Sequence, residues 1–250
     1  MLTVENVSKS FGRTSVIRNV SFTLTPGEII GLVGPSGAGK SVLLKLIGKV
    51  IEPDFGTITH TPQNQDFVQQ SVGFLFQEGA LFDSLSVIDN VAFPLHSCAT
   101  KHGKMSYAEV MERAYAILSE VGLSEAYQKM PGQLSGGMRR RVGIARALVS
   151  HPDLVLLDDP TGGLDPVAAS VIMNLIRSLH ETYKPTVLLV SHDLRRLLPN
   201  VDRVLALFDG GIVCDESPEE LPTRCSSRVL KFLSTRYDFS EPSVGSEQRP

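Results

Sequence analysis

Eight consecutive residues, Gly34-Pro35-Ser36-Gly37-Ala38-Gly39-Lys40-Ser41, have the types and spacing of a phosphate-binding loop. Gly37 and Gly39 let the backbone curl until its N–H groups face an anion. The helix expected to follow adds the positive end of its dipole. Lys40 can reach β- and γ-phosphates, and the Ser41 hydroxyl is an oxygen ligand suited to Mg²⁺. A glycine turn carrying a chance lysine would look the same in isolation, so context decides. Glu28 to Val33 is a short apolar run bounded by Pro26-Gly27 and Gly34-Pro35, and Val42 to Ile47 reads as a helix start. Strand, glycine loop and helix in that order is the setting the motif requires.

A second run, Leu154-Val155-Leu156-Leu157, reads as a buried strand that ends in Asp158-Asp159. A carboxylate at the end of a core strand is costly to bury unless it meets a cation or a donor. Asp158 is therefore the expected Mg²⁺ partner, acting through water. Just upstream of this strand stands Leu134-Ser135-Gly136-Gly137-Met138, an ordinary glycine turn if taken alone.

Together these residues resemble the ABC-type ATPase family. Phe11, Gly34 to Ser41, Gln77, Leu134 to Met138, Leu154 to Pro160, Gly163-Leu164-Asp165 and Ser191-His192-Asp193 occur in that family's order, and the likeness covers about Leu2 to Leu221. It implies an α/β fold: a P-loop NTPase core with an antiparallel β subdomain and a helical subdomain. It implies ATP and Mg²⁺. Phe11 resembles the aromatic that stacks on adenine, with Val16 adding an apolar contact. Gly34, Pro35, Ser36, Gly37, Ala38, Gly39, Lys40 and Ser41 would hold the phosphates. Ser41, Gln77 and Asp158 would hold the metal. Gln77 would also meet the attacking water and link the site to a partner protein, and His192 would sense the γ-phosphate. Ser135, Gly136 and Gly137 would contact ATP bound on a second copy, in a head-to-tail dimer with each ATP sandwiched between Lys40 of one copy and Ser135 of the other.

One residue departs from the pattern. Most members carry Glu after the magnesium Asp, as the base that orients water, and this chain has Asp159. Asp is shorter by one C–C bond, about 1.5 Å, and a misplacement of about 1 Å can cost roughly 100-fold in rate. The expectation is a functional but slow base. The competing reading is a chain that lingers in the ATP-bound dimer with little turnover.

The chain has 250 residues, enough for a full core. Its hydrophobic content of 42% and charged content of 20% are ordinary for a globular protein. A net charge of −3 and a pI near 6.1 argue against sequence-independent nucleic-acid binding. Cys98, Cys214 and Cys225 lack C-x-x-C spacing, so neither a disulfide framework nor a zinc site is expected. The N-terminal residues do not read as a signal peptide, and no apolar run approaches the roughly 18 residues of a membrane span.

Residues 1–239 are expected to form one domain, with a helical subdomain at about 82–150 and a polar, disordered tail at 240–250. Leu2 to Val7 and Ser21 to Thr25 read as early, mostly antiparallel strands, and Val72 to Phe76 as a strand delivering Gln77. Ser106-x-x-Glu109 is a capping box opening a helix that Gly122 stops. A helix follows Ser135 from Met138 to Val149, with Arg139, Arg140, Arg141 and Arg146 on a solvated or carboxylate-paired face. Asp165-Pro166 starts a helix that runs to about Leu179. Arg203 to Phe208 and Ile212 to Cys214 flank a hairpin turn, and Ser217 to Glu220 starts a short helix.

The stretch from Phe76 to Val87, continuing through Asn90 to Leu95, resembles the ATPases of MCE/Mla-type phospholipid transport systems, as does the short run Arg228 to Leu233. That resemblance implies a peripheral subunit at the cytoplasmic face of the inner membrane. It would drive lipid transport through an integral membrane permease that docks on Ala80, Leu81, Phe82 and Leu85, with an MCE-domain lipid-binding protein and a STAS-like subunit as further partners. The alternatives are the ATPase of an importer for small polar solutes such as amino acids, and a non-transport ABC protein.

Overall fold

The computed structural model describes residues 1–61, 72–77, 79–96, 99–100, 103–235, 237 and 239. Its centre is set by five short, largely apolar runs, four buried on both faces and the fifth, at the sheet edge, on one, the pattern of a covered parallel sheet. These are β3 (Ile29–Val33), β5 (Val72–Leu75), β8 (Leu154–Asp158), β9 (Thr186–Val190) and β10 (Arg203–Phe208). With β11 (Gly211–Glu216) they form a six-stranded sheet in the order β11-β10-β3-β9-β8-β5, parallel except for the β10-β11 hairpin.

Alternation along each strand sends side chains to two separate cores. Val33, Val155, Leu157, Val187 and Leu189 face one, while Ile30, Leu32, Leu156, Leu188 and Val190 face the other. The second core is closed by α1 (Lys40–Ile47) and by an antiparallel sheet, β2-β1-β4, formed by β1 (Leu2–Phe11), β2 (Thr14–Leu24) and β4 (Phe55–His60). The expected strands 2–7 and 21–25 are thus the two ends of one longer hairpin, which turns at Gly12 with φ +60°.

The first core is closed by a helical lobe: α2 (Val87–His96), α3 (Tyr107–Glu120) and α4 (Gly136–Leu148). A small hairpin, β6 (Ala99–Thr100) with β7 (Gly103–Lys104), connects the first two. The Ser106–Glu109 capping box opens α3 as expected, and Gly122 follows its end with φ +68°. Next, α5 (Pro166–Tyr183) starts at the Asp165 cap and runs four residues past Leu179, stopping where Lys184 turns left-handed. Three short helices complete the chain: α6 (Leu194–Leu197), α7 (Leu221–Arg224) and α8 (Ser227–Ser234). Ser217 to Glu220 is a turn before α7 and not its first residues. The tail at 240–250 lies outside the described residues.

The cysteine expectation is corrected. Cys214 on β11 and Cys225 after α7 are joined as a disulfide, with Cα atoms 5.6 Å apart, inside the range a disulfide spans. The chain reversal after β11 makes this proximity, and no short cysteine spacing signals it. Among the described residues, no helix is long and apolar enough to cross a membrane.

Candidate nucleotide site

Parallel sheets gather the ends of their strands, and ligands bind outside the carboxyl edge. Four of the predicted groups stand at that edge: the Gly34–Ser41 loop after β3, Gln77 after β5, Asp158-Asp159 at the end of β8, and His192 just beyond β9.

The loop is tightly seated. A Cβ on Gly34 (φ +152°) would lie 2.1 Å from the Leu207 carbonyl oxygen, and one on Gly39 (φ +103°) would strike Ile17 at 2.8 Å. Gly39 is the left-handed cap from which α1 departs. A Cβ on Gly37, by contrast, would meet nothing within 4 Å, so the mouth of the loop is open. Lys40 is buried, and its Nζ donates to the carbonyl oxygens of Gly34 (2.8 Å) and Pro35 (2.9 Å), holding the ammonium within the loop.

The Ser41 hydroxyl donates to Asp158 Oδ1 at 3.0 Å across 117 positions of sequence. This contact brings the expected metal pair together. One hydroxyl and one carboxylate suit Mg²⁺, which takes few protein ligands and completes its shell with phosphate and water. Among the described residues no cluster of three or more His, Cys, Asp or Glu side chains could hold a metal without such help.

Asp159 is half-buried in a turn with φ +51°, tied by its N–H to the Val190 carbonyl at 3.1 Å. Burial pushes its carboxyl above the usual carboxylate range; His192 and Arg140 pull it down, Asp158 pushes it up, and Lys40 pulls it down. Asp159 and the exposed His192 line one cleft of about 620 Å³ together with Gly162, Gly163 and Asp193.

Phe11 is exposed at the end of β1, with Lys9 Nζ 5.7 Å from its ring centroid, so it offers a free aromatic face. Val16 stands against the loop: a Cβ on Gly39 would come within 3.2 Å of its Cγ1. Gln77 is exposed. Ser135 caps α4, its hydroxyl accepting from the Met138 N–H at 3.3 Å, and Gly136 and Gly137 form the first turn.

Two expectations are corrected in part: Arg139 is exposed and Arg140 acts on the Asp159 carboxylate, as a solvated or carboxylate-paired face would have it. The four arginines of α4 each donate to backbone carbonyls: Arg139 to Leu134, Arg140 to Gly162, Arg141 to Val121 and Gly122, and Arg146 to Gly79 and Ala80. Loop ends leave carbonyls without ladder partners, and a guanidinium fork satisfies two at once. The apolar cluster at 80–85 is also divided. Leu81 packs against the lobe core, while Ala80 and Phe82 line an open groove of about 400 Å³ with Phe74, Phe76, Phe93 and Pro94. The rings of Phe82 and Phe93 lie 4.6 Å apart. The groove's shape depends on Asn90, fully buried, whose amide binds the Phe82 N–H and carbonyl and the Leu85 carbonyl. Sequence reading missed Asn90 and the role of Arg146. An amide beside Asp89 in the otherwise apolar first two turns of α2 was the only signal for the former.

Residues 17–162, more than half of the chain, match the family model described as ABC transporter. The chain is 36% identical over 250 residues to the intermembrane phospholipid transport system ATP-binding protein MlaF of Escherichia coli K12, covering 97% of this chain and 91% of the relative. It is 38% identical over 221 residues to the sulfate/thiosulfate import ATP-binding protein CysA 2 of Rhizobium meliloti, covering 87% of this chain and 60% of the relative. Among solved structures it resembles the dimeric, post-hydrolysis state of the ATP-binding cassette MJ0796 bound to ADP and Pi. The TM-score is 0.76 at 32% identity, over 87% of this chain and 99% of that one.

Proposed function

This chain belongs to the ABC transporter family as its ATP-binding, ATP-hydrolysing subunit, and we propose that it uses Mg²⁺–ATP to drive phospholipid transport between envelope membranes. In this reading the Gly34–Ser41 loop and Lys40 hold the β- and γ-phosphates, and Phe11 with Val16 holds the base. Ser41 and Asp158, already hydrogen-bonded, would present two oxygens to Mg²⁺, and Gln77 would serve as a further ligand. The ion would neutralise phosphate charge. Asp159 takes a proton from the attacking water, and His192, on the same cleft, contacts the γ-phosphate.

The signature residues Ser135, Gly136 and Gly137 act on ATP held by a second copy, giving a head-to-tail dimer that closes on ATP and opens after hydrolysis. MJ0796 is dimeric in its solved structures, which favours this assembly. The subunit is peripheral at the cytoplasmic face of the inner membrane. The observation that carries coupling is the open groove of Phe74, Phe76, Phe82, Phe93 and Pro94, one residue away from Gln77. An apolar anchor of a permease helix fits it, and burying such rings is how helices dock in grooves. An MCE-domain lipid-binding protein and a STAS-like subunit complete the assembly.

The phospholipid reading is favoured over import of a small polar solute by the MlaF likeness, which takes in 91% of that relative's length against 60–68% for the sulfate/thiosulfate import relatives. The test is purification from native membranes in mild detergent, with mass spectrometry of proteins and lipids. Co-purification of a permease and an MCE-domain protein carrying phospholipid is the expected result. A permease with a soluble solute-binding protein would replace lipid by solute import, and the absence of any membrane partner would overturn transport itself.

A further inference from the structure

Two adjacent glycines, Gly162 and Gly163, begin three residues after Asp159, and they differ in what they need. Gly163 has φ +72°, a conformation that favours glycine, and a Cβ there would meet nothing. Gly162 is not in the left-handed region, so its backbone would accept any residue. A Cβ on Gly162 would nonetheless stand 2.3 Å from Asp159 Oδ2 and 2.8 Å from its Cγ. The third nearest atom, the Asp159 carbonyl oxygen, lies at an ordinary 3.4 Å. The space a side chain would occupy is therefore taken by the carboxylate. The turn is fixed around that contact: the Gly162 N–H donates to the Asp159 carbonyl at 3.1 Å, and Arg140 Nη2 donates to the Gly162 carbonyl at 3.1 Å.

We propose that Gly162 is a positioning residue for Asp159, its missing Cβ being the seat in which this short carboxylate lies. The inference rests on the reading of Asp159 as the hydrolytic base. Asp has one torsion fewer than Glu between backbone and carboxylate, so it cannot avoid an obstacle at 162 and still keep its reach. With Ala at 162 the carboxylate must retreat by about 1 Å to reach ordinary contact, a displacement worth roughly 100-fold in rate. The two atoms a methyl at 162 would strike belong to the Asp159 side chain and not to the backbone, so the cost falls on placement of the base and not on the fold.

The experiment is a double-mutant cycle in single-turnover hydrolysis, with ATP affinity and thermal melting measured alongside. The variants are Gly162→Ala, Asp159→Glu, the Gly162→Ala/Asp159→Glu double and Asp159→Asn. Gly162→Ala should lose about 100-fold in hydrolysis and less than about twofold in ATP affinity. In the Asp159→Glu background the same change should cost less than about threefold, because the longer side chain can clear the methyl. Equal losses in both backgrounds, or native hydrolysis by Gly162→Ala while Asp159→Asn is inactive, would overturn the positioning role and leave the base reading standing. Native hydrolysis by Asp159→Asn would overturn the base reading, and this inference with it.

Discussion

Replacing Arg146 by Met should loosen the loop that follows Gln77 without unfolding the protein. Arg146 is half-buried on α4, and its guanidinium donates to the Gly79 carbonyl at 2.7 Å and the Ala80 carbonyl at 2.9 Å, with Phe82 5.7 Å away. Methionine keeps much of the aliphatic stem and removes both donors. Hydrogen bonds to charged groups contribute about 1.5–3 kcal/mol each, and partial exposure favours the low end, giving about 3 kcal/mol for the pair. At 1.4 kcal/mol per decade, the open state of this loop rises about 100-fold. Were the whole cost felt in global unfolding, the melting temperature would fall by roughly 6–12 °C. Because the contacts join one loop to one helix, most of it should appear as local opening. Hydrogen exchange of the peptide spanning 76–82 should accelerate about 100-fold, with ATP binding retained. Arg146→Lys should recover only part of this, since a single ammonium cannot fork onto two carbonyls. Unchanged exchange in 76–82 alongside a lowered melting temperature would refute the argument, by showing that Arg146 serves the fold and not the loop.

Three further outcomes follow from the site. Lys40→Ala should cost hydrolysis about 1000-fold or more, as loss of a charged donor to the phosphates does; retained single-turnover hydrolysis would remove the loop's assignment. Ser135→Arg should abolish ATP-dependent dimerisation, read by light scattering, while ATP binding by the monomer stays native; loss of both would place the signature wrongly. A base works deprotonated, and burial raises Asp159 above the ordinary carboxylate range. Hydrolysis should therefore decline with falling pH through an acid limb that begins above that range. Asp159→Asn should lack this limb, and an unaltered profile in that variant would assign it to another group.

The residues proposed to hold nucleotide, and the helix start at Asp165, were legible because each sits at the end of its own element. Gly34 to Ser41 bridge a strand and a helix, Asp158 ends an apolar run, and Asp165 announces its helix by the proline after it. Such signals are local, and β3 and β8 followed from short apolar runs with both faces buried. The outer halves of β1 and β2 were not legible. Ser8, Lys9, Ser10 and Arg18 form no apolar run, and their strand state comes from pairing across the hairpin. The Cys214–Cys225 bridge is likewise a product of tertiary reversal.

The residues that position the chemistry were hidden for a further reason: their partners are backbone groups. A carboxylate partner can be sought in a sequence by its charge, but every residue carries a carbonyl, so nothing in the chain's letters pairs Arg146 with Gly79 or Arg140 with Gly162. Gly162 is the extreme case, since its contribution is a volume left free beside Asp159. What the letters do contain is the coincidence itself: a carboxylate one methylene shorter than the family's, three residues before a glycine that its own backbone does not require. A short acid needs a clear approach, and the structure places that clearance directly against its Oδ2.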